Sequence, residues 1–189
     1  MIKNTRELPE YKKNLKLTSF QRQVILGSLL GDAHLETFTN GNTYRLLIEQ
    51  SKSKHSAYVY HLYEVLKPFF LSAPKELTKM GGNGKPYVTL QLKSITFSSF
   101  RFYAQLLYKG RTKRIPKNIH KFLTPVALAY WYMDDGALKG QDRLGKRLHT
   151  EGFEEKDVRT LCRALNEIGI ETTVQRQNRK VSVKIKTFL

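Results

Sequence analysis

"LAYWYMDDGA", Leu128 to Ala137, runs six mostly apolar residues into two adjacent aspartates and a glycine. The apolar run reads as a buried helix and the Asp-Gly step as its end. A helix C-terminus already carries partial negative charge, so an anion there costs from some tenths of a kcal/mol to about 1 kcal/mol. A cation is therefore expected at that helix end. The arrangement has a precedent earlier in the chain. "FQRQVILGSLLGDAH", from Phe20, with Ser19 as its expected N-cap, sets Val24, Ile25, Leu26, Leu29 and Leu30 at helical spacing and ends on Asp32.

The segments after the two aspartates are alike. After the first come strand-like runs around Asn40-Gly41, a strong type I′ hairpin signal, and then a helix with Tyr58, His61, Leu62, Val65 and Leu66 on its core face, stopping near Pro68. A glycine-rich turn leads into a strand alternating Val88, Leu90 and Leu92 with Thr89, Gln91 and Lys93, and "SSFRFYAQLLYK" makes a third helix. After the second aspartate come a hairpin around "KGQDRLGKRLHT", the helix "EEKDVRTLCRALNEIG" and the hairpin "IETTVQRQNRKVSVKIK". Residues echo too, "LQLKSITF" at 90–97 lining up with "VSVKIKTF" at 181–188.

The expected fold is therefore α+β, two pseudo-symmetric αββαββα repeats packed through their first helices, the second without its last helix. The expected organisation is a basic arm over 1–17, a first repeat over 18–110, a basic linker over 111–123 and a second repeat over 124–189. Pseudo-twofold symmetry would bring the two helix ends together, and Gly27 and Gly31, four apart on one face, would let another backbone approach closely. Two carboxylates at two negative helix ends repel. Mg²⁺, which takes one or two carboxylates with waters and phosphate oxygens, resolves the repulsion. Asp and Gly are also ordinary turn formers. Their recurrence after two apolar helices of a duplicated chain favours a site.

Composition names the class of partner. Of 189 residues, 33 are Lys or Arg and 16 Asp or Glu, a net charge of +17 spread along the whole length, which suits a polyanion. One cysteine, Cys162, excludes an internal disulfide and a zinc site built from several cysteines. The histidines show no metal-ligand spacing. Nothing resembles a signal peptide or a membrane span, so the chain is expected to be intracellular and not secreted.

These residues resemble the LAGLIDADG homing endonucleases, specifically the single-chain, intron-encoded members with two copies of the motif. On the nine-letter pattern the copies are "ILGSLLGDA", Ile25 to Ala33, and "LAYWYMDDG", Leu128 to Gly136. The resemblance implies a site-specific endonuclease that cuts double-stranded DNA at a long, asymmetric intron insertion site and leaves short 3′ overhangs. It would act as a monomer with Mg²⁺, Mn²⁺ substituting, in an organelle if organelle-encoded. It implies that Asp32 and Asp135 are the metal-binding acids and that the backbone carbonyls of Gly31 and Asp134 help to hold the ions. By the same resemblance "RTKRIP" places Lys113 near the scissile phosphate, Gln50 orders water, and Glu151 is its counterpart in the second half. Tyr130 and Trp131 replace smaller residues of the family pattern.

The strand pairs of the family form a saddle over the DNA major groove. Alternation selects Thr89, Gln91 and Lys93 in the first half and Ser182, Lys184 and Lys186 in the second as side chains that reach base edges, joined by Arg45 and Arg147, while Arg111 and Arg114 touch phosphates. Three other readings stay open on sequence: a maturase binding structured intron RNA, a non-cleaving DNA-binding regulator, and a PD-(D/E)xK nuclease using Glu49 and Lys52.

Overall fold

A computed structural model describes residues 7–139, 145–177 and 180–186. The chain divides into two compact units: residues up to Arg22 with Asp32–Phe102, and Gln23–Gly31 with the residues from Tyr103 onwards. Packing and duplication thus divide the chain differently, because most of the first motif helix belongs with the second unit.

In the first unit, α1 (Leu8–Asn14) lies inside the stretch read as a basic arm, and its Tyr11 hydroxyl donates to the Pro68 carbonyl at 2.7 Å. The first motif helix, α2 (Ser19–Leu30), starts on a reciprocal cap. The Gln21 amide N–H donates to Thr18 Oγ1 and the Thr18 N–H to Gln21 Oε1, both at 3.1 Å. Thr18, not Ser19, is therefore the N-cap, because its hydroxyl reaches the third helical N–H.

Strands β1 (His34–Glu36), β2 (Arg45–Ser51), β3 (Lys75–Met80) and β4 (Pro86–Lys93) form an antiparallel sheet in the order β1-β2-β4-β3. The β1–β2 connection is longer than a two-residue hairpin. Asn40 and Gly41 do turn with φ of 49° and 86°, and the Asn42 N–H donates to the Thr39 carbonyl at 3.1 Å, but Glu36 and Arg45 are the last paired residues. Helix α3 (Lys52–Val65) packs across β2 and β4, with Val59 and Leu62 buried. His61 is exposed, a correction to its place on the core face: the apolar stripe is narrow and Leu62 and Leu66 fill it. Phe69, Phe97 and Phe100 close the core with ring centroids 5.3–6.0 Å apart. Phe100 opens α4 (Phe100–Leu107), the expected third helix.

In the second unit, the two-residue strands β5 (Tyr108–Lys109) and β6 (Thr112–Lys113) pair around Gly110, whose φ is 62°. The second motif helix, α5 (Pro125–Asp135), is capped by Thr124, whose hydroxyl accepts from the Ala127 N–H at 3.1 Å, with Pro125 in the first turn. Strands β7 (Gly136–Lys139), β8 (Gly145–Leu148), β9 (Thr172–Gln177) and β10 (Lys180–Ile185) repeat the antiparallel order as β7-β8-β10-β9. Residues 140–144 and 178–179, on which the two expected hairpins of this half partly fall, lie outside the described residues. Helix α6 (Glu155–Glu167) lays Val158, Leu161, Cys162 and Leu165 on β9 and β10.

The sequence supplies the reason α5 and the C-terminal part of α2 cross so closely. A Cβ on Gly27 would meet the Ala127 carbonyl oxygen and come within 2.8 Å of Tyr130 Cβ; one on Gly31 would lie 2.5 Å from Asp134 Cβ. Only hydrogen fits at both points. Tyr130, nearly fully buried, packs at the crossing, and Trp131 beside it on α5 is fully buried.

Candidate active site and nucleic-acid surface

Asp32 lies in the turn just after α2, two residues beyond Leu30, and it is exposed. Its Oδ2 accepts a hydrogen bond from Gln50 Nε2 at 2.8 Å. Gln50 is 8% exposed on the core side of β2, because it pairs with Leu90 and shares a face with Ile48. The sequence linked Asp32 and Gln50 only through the family resemblance, and the structure brings them into contact.

Asp135 closes α5. Its Oδ2 accepts from Trp131 Nε1 at 3.1 Å, and its backbone carbonyl accepts the His149 N–H at 2.8 Å, which ties the helix end to the start of the loop after β8. Asp134 packs on Gly31. The Gly31 carbonyl accepts from Lys113 Nζ at 2.6 Å, so a cation stands at the C-terminal end of α2, where the helix dipole favours one; the sequence argument expected its cation at the other motif helix, at Asp135. Lys113 is held there by β6, anchored where the Arg114 N–H donates to the Leu107 carbonyl at 2.7 Å.

Glu151 is engaged by Arg147 Nη2 at 2.9 Å and His149 Nδ1 at 3.2 Å. Burial pushes its carboxyl up, but a backbone N–H, His149 and Arg147 together outweigh that and hold it below the usual carboxylate value. Among the described residues no three His, Cys, Asp or Glu side chains gather in a metal-holding cluster. The donors that are present, carboxylate and carbonyl oxygens, suit a hard divalent cation that completes its shell with water and phosphate oxygens.

The sheet faces away from the helices test the alternation. On the first, register places Lys93 beside Leu47, Gln91 between Glu49 and Lys75, and Tyr87 beside Lys79. Lys93 is exposed, and Gln91 is half-buried with its Nε2 donating to Glu49 Oε2 at 2.8 Å. Glu49 is partly buried, which raises its pKa, yet hydrogen bonds from Lys79 and Gln91 bring it below the usual value. Thr89 is only 6% exposed and is bonded to the Leu77 carbonyl at 3.5 Å. The alternation passed over Lys75 and Lys79, although "KELTK" alternates in the same way.

On the second face, Lys184 is exposed between Arg147 and Thr173. Arg147 and Ser182 are 5% and 0% exposed. Thr89, Arg147 and Ser182 therefore leave the expected base-reading row, because short side chains are covered by longer neighbours and the Arg147 guanidinium turns to Glu151. Lys186 is exposed and pairs with Glu171 at 2.7 Å. Arg45 lies along Glu36 at 2.7 Å and 4.6 Å above the Phe38 ring. Arg111 is exposed at the β5–β6 turn, while Arg114 is half-buried and bridges Glu154 and Asp157.

Known proteins give these features a family. The model of the LAGLIDADG DNA endonuclease family matches residues 22–188. The DNA endonuclease I-ChuI of Chlamydomonas applanata is 33% identical over 174 residues, which cover 86% of this chain and 79% of that protein. The cytochrome b mRNA maturase bI2 of Saccharomyces cerevisiae is 33% identical over 167 residues, 83% of this chain but 38% of that protein. The solved structure of the homing endonuclease I-WcaI bound to its DNA recognition sequence shares the fold, with a TM-score of 0.89 at 22% identity over 98% of this chain and 84% of that one. With a family model spanning most of the sequence and a relative one-third identical over most of its length, this chain belongs to the LAGLIDADG DNA endonuclease family.

Proposed function

We propose that the protein is a single-chain homing endonuclease that hydrolyses both strands of a long, asymmetric DNA site and leaves short 3′ overhangs. The observation that carries this reading is that an aspartate at the end of α5 and one in the turn just after α2 each have a carboxylate that accepts from a neutral N–H donor, Trp131 for Asp135 and Gln50 for Asp32. A turn-forming aspartate asks only for a local backbone partner. Both of these are instead oriented by side chains built into a core, in a family of DNA endonucleases.

Asp32 and Asp135, with the Gly31 and Asp134 carbonyls, would hold divalent cations such as Mg²⁺ or Mn²⁺. When bound, such a cation neutralises charge at the scissile phosphate and lowers the pKa of water. In the hydrolysis a water oxygen forms a bond to phosphorus and the P–O3′ bond breaks, giving a 3′ hydroxyl and a 5′ phosphate. Gln50 fixes the Asp32 carboxylate and would order the attacking water. The Lys113 ammonium would neutralise charge developing on the phosphoryl oxygens. Lys93, Gln91, Lys184, Lys186, Arg45 and Arg111 remain the candidates for DNA contact, with Lys75 and Lys79 added from β3. Among the described residues no helix is long and apolar enough to cross a membrane.

The test is incubation with Mg²⁺ and a DNA carrying the insertion site without its intron. Double-strand cleavage with 3′ overhangs is expected, and an intact substrate under conditions of measurable binding would contradict it. The maturase relative supports a second reading, binding of intron RNA by the same chain, which a splicing assay without DNA examines separately.

A further inference from the structure

The two motif acids are held by different parts of the molecule. Asp32 is reached from a strand by an amide, whereas Asp135 is reached by the indole N–H of a residue one turn earlier on its own helix. Residues four apart on a helix lie one above the other, so Trp131 needs no other element to place its nitrogen. The ring is fully buried, which fixes its orientation, and Nε1 is its one polar atom. A carboxylate offers about four lone-pair sites. The indole takes one on Oδ2 and carries no charge, so it orients Asp135 without neutralising it, where a lysine or arginine would compete with a metal ion for the same charge.

We propose that Trp131 is a positioning residue for divalent-cation binding by Asp135, doing in the second half what Gln50 does for Asp32. This rests on the reading that Asp135 holds a cation. Since Trp131 is the chain's one tryptophan, its indole N–H is also a built-in reporter of that carboxylate.

The experiment tracks the single indole cross-peak in a ¹H–¹⁵N spectrum of the full chain as Mg²⁺ is added, together with the backbone amides of Gly136 and Ala137. The indole peak is expected to shift with the same saturation curve as those amides, and to move on Asp135→Asn without metal. Amides that shift beside an unmoved indole peak would overturn the role of Trp131 while leaving Asp135 as a ligand. If saturating Mg²⁺ moves neither, the metal reading of Asp135 fails, and the proposal with it. Trp131→Phe keeps an aromatic ring and loses the N–H. Its Mn²⁺ affinity, measured from free Mn²⁺ by electron paramagnetic resonance, is expected to fall about tenfold, the low end for loss of an orienting partner. Unchanged Mn²⁺ affinity in a folded Trp131→Phe protein would also overturn the proposal.

Discussion

At the scale of single residues, Glu151, which the family resemblance makes the second-half counterpart of Gln50, also has a part in the fold. Its carboxylate holds the buried Arg147 guanidinium. Glu151→Gln should cost about 1–3 kcal/mol at neutral pH, since it weakens the pairing of a buried charge. The pH dependence has a definite sign. A carboxyl held below its usual 4.5 stabilises the fold above that value and loses the contribution as pH falls through the lower, folded pKa. The stability gap between wild type and Glu151→Gln should therefore narrow as acid is added below about pH 4.5. Urea unfolding at several pH values measures it, and a gap that widens in acid would assign Glu151 another role. Asp134 faces Gly31, and its expected contribution to metal is through the backbone. Asp134→Asn should keep more cleavage than Asp135→Asn in the same assay, and equal loss would show that both carboxylates act.

At the scale of elements, the crossing of α2 and α5 is the most constrained feature. Gly→Ala in a helix interior gains about 1 kcal/mol of propensity, but a Cβ on Gly27 would strike a backbone carbonyl that cannot rotate away. Overpacking of this kind typically costs about 1–3 kcal/mol and wins. Gly27→Ala should lower Tm, whereas an unchanged or higher Tm would mean the helices separate freely. Much of this was legible in sequence. The i, i+4 glycines announced a close crossing, and the apolar runs ending in Asp32 and Asp135 announced both helices. The sheets were less legible, because alternation identifies a face but not what covers it. Thr89 and Ser182 alternate correctly and are buried under neighbours that register alone brings alongside. The contact between Trp131 and Asp135 was hidden for another reason: an apolar helix makes tryptophan read as core, and its one polar atom is invisible to periodicity.

At the scale of the whole molecule, a net charge of +17 dictates how the protein meets DNA. Affinity should fall steeply with salt through counterion release, with a log–log slope of about 0.9 per phosphate neutralised. Lys184→Ala removes an exposed cation of β10 and should reduce that slope by about 1 if it meets a phosphate. Filter binding over a range of salt concentrations measures this, and a flat salt response would remove the electrostatic basis of binding. The two motif copies on one chain also predict one protein per DNA site, which sedimentation of the complex checks; two chains per site would contradict it.

On this reading the aspartates ending the motif helices serve cleavage and not the fold. Asp32→Asn and Asp135→Asn keep the side-chain shape and remove the charge, so the decisive measurement is DNA binding and cleavage by both variants, side by side, with Mg²⁺. Each variant should stay folded, bind the DNA nearly as wild type does and fail to cut both strands. Full double-strand cleavage by either variant, or collapse of its folded state without metal, would contradict that role for the aspartates.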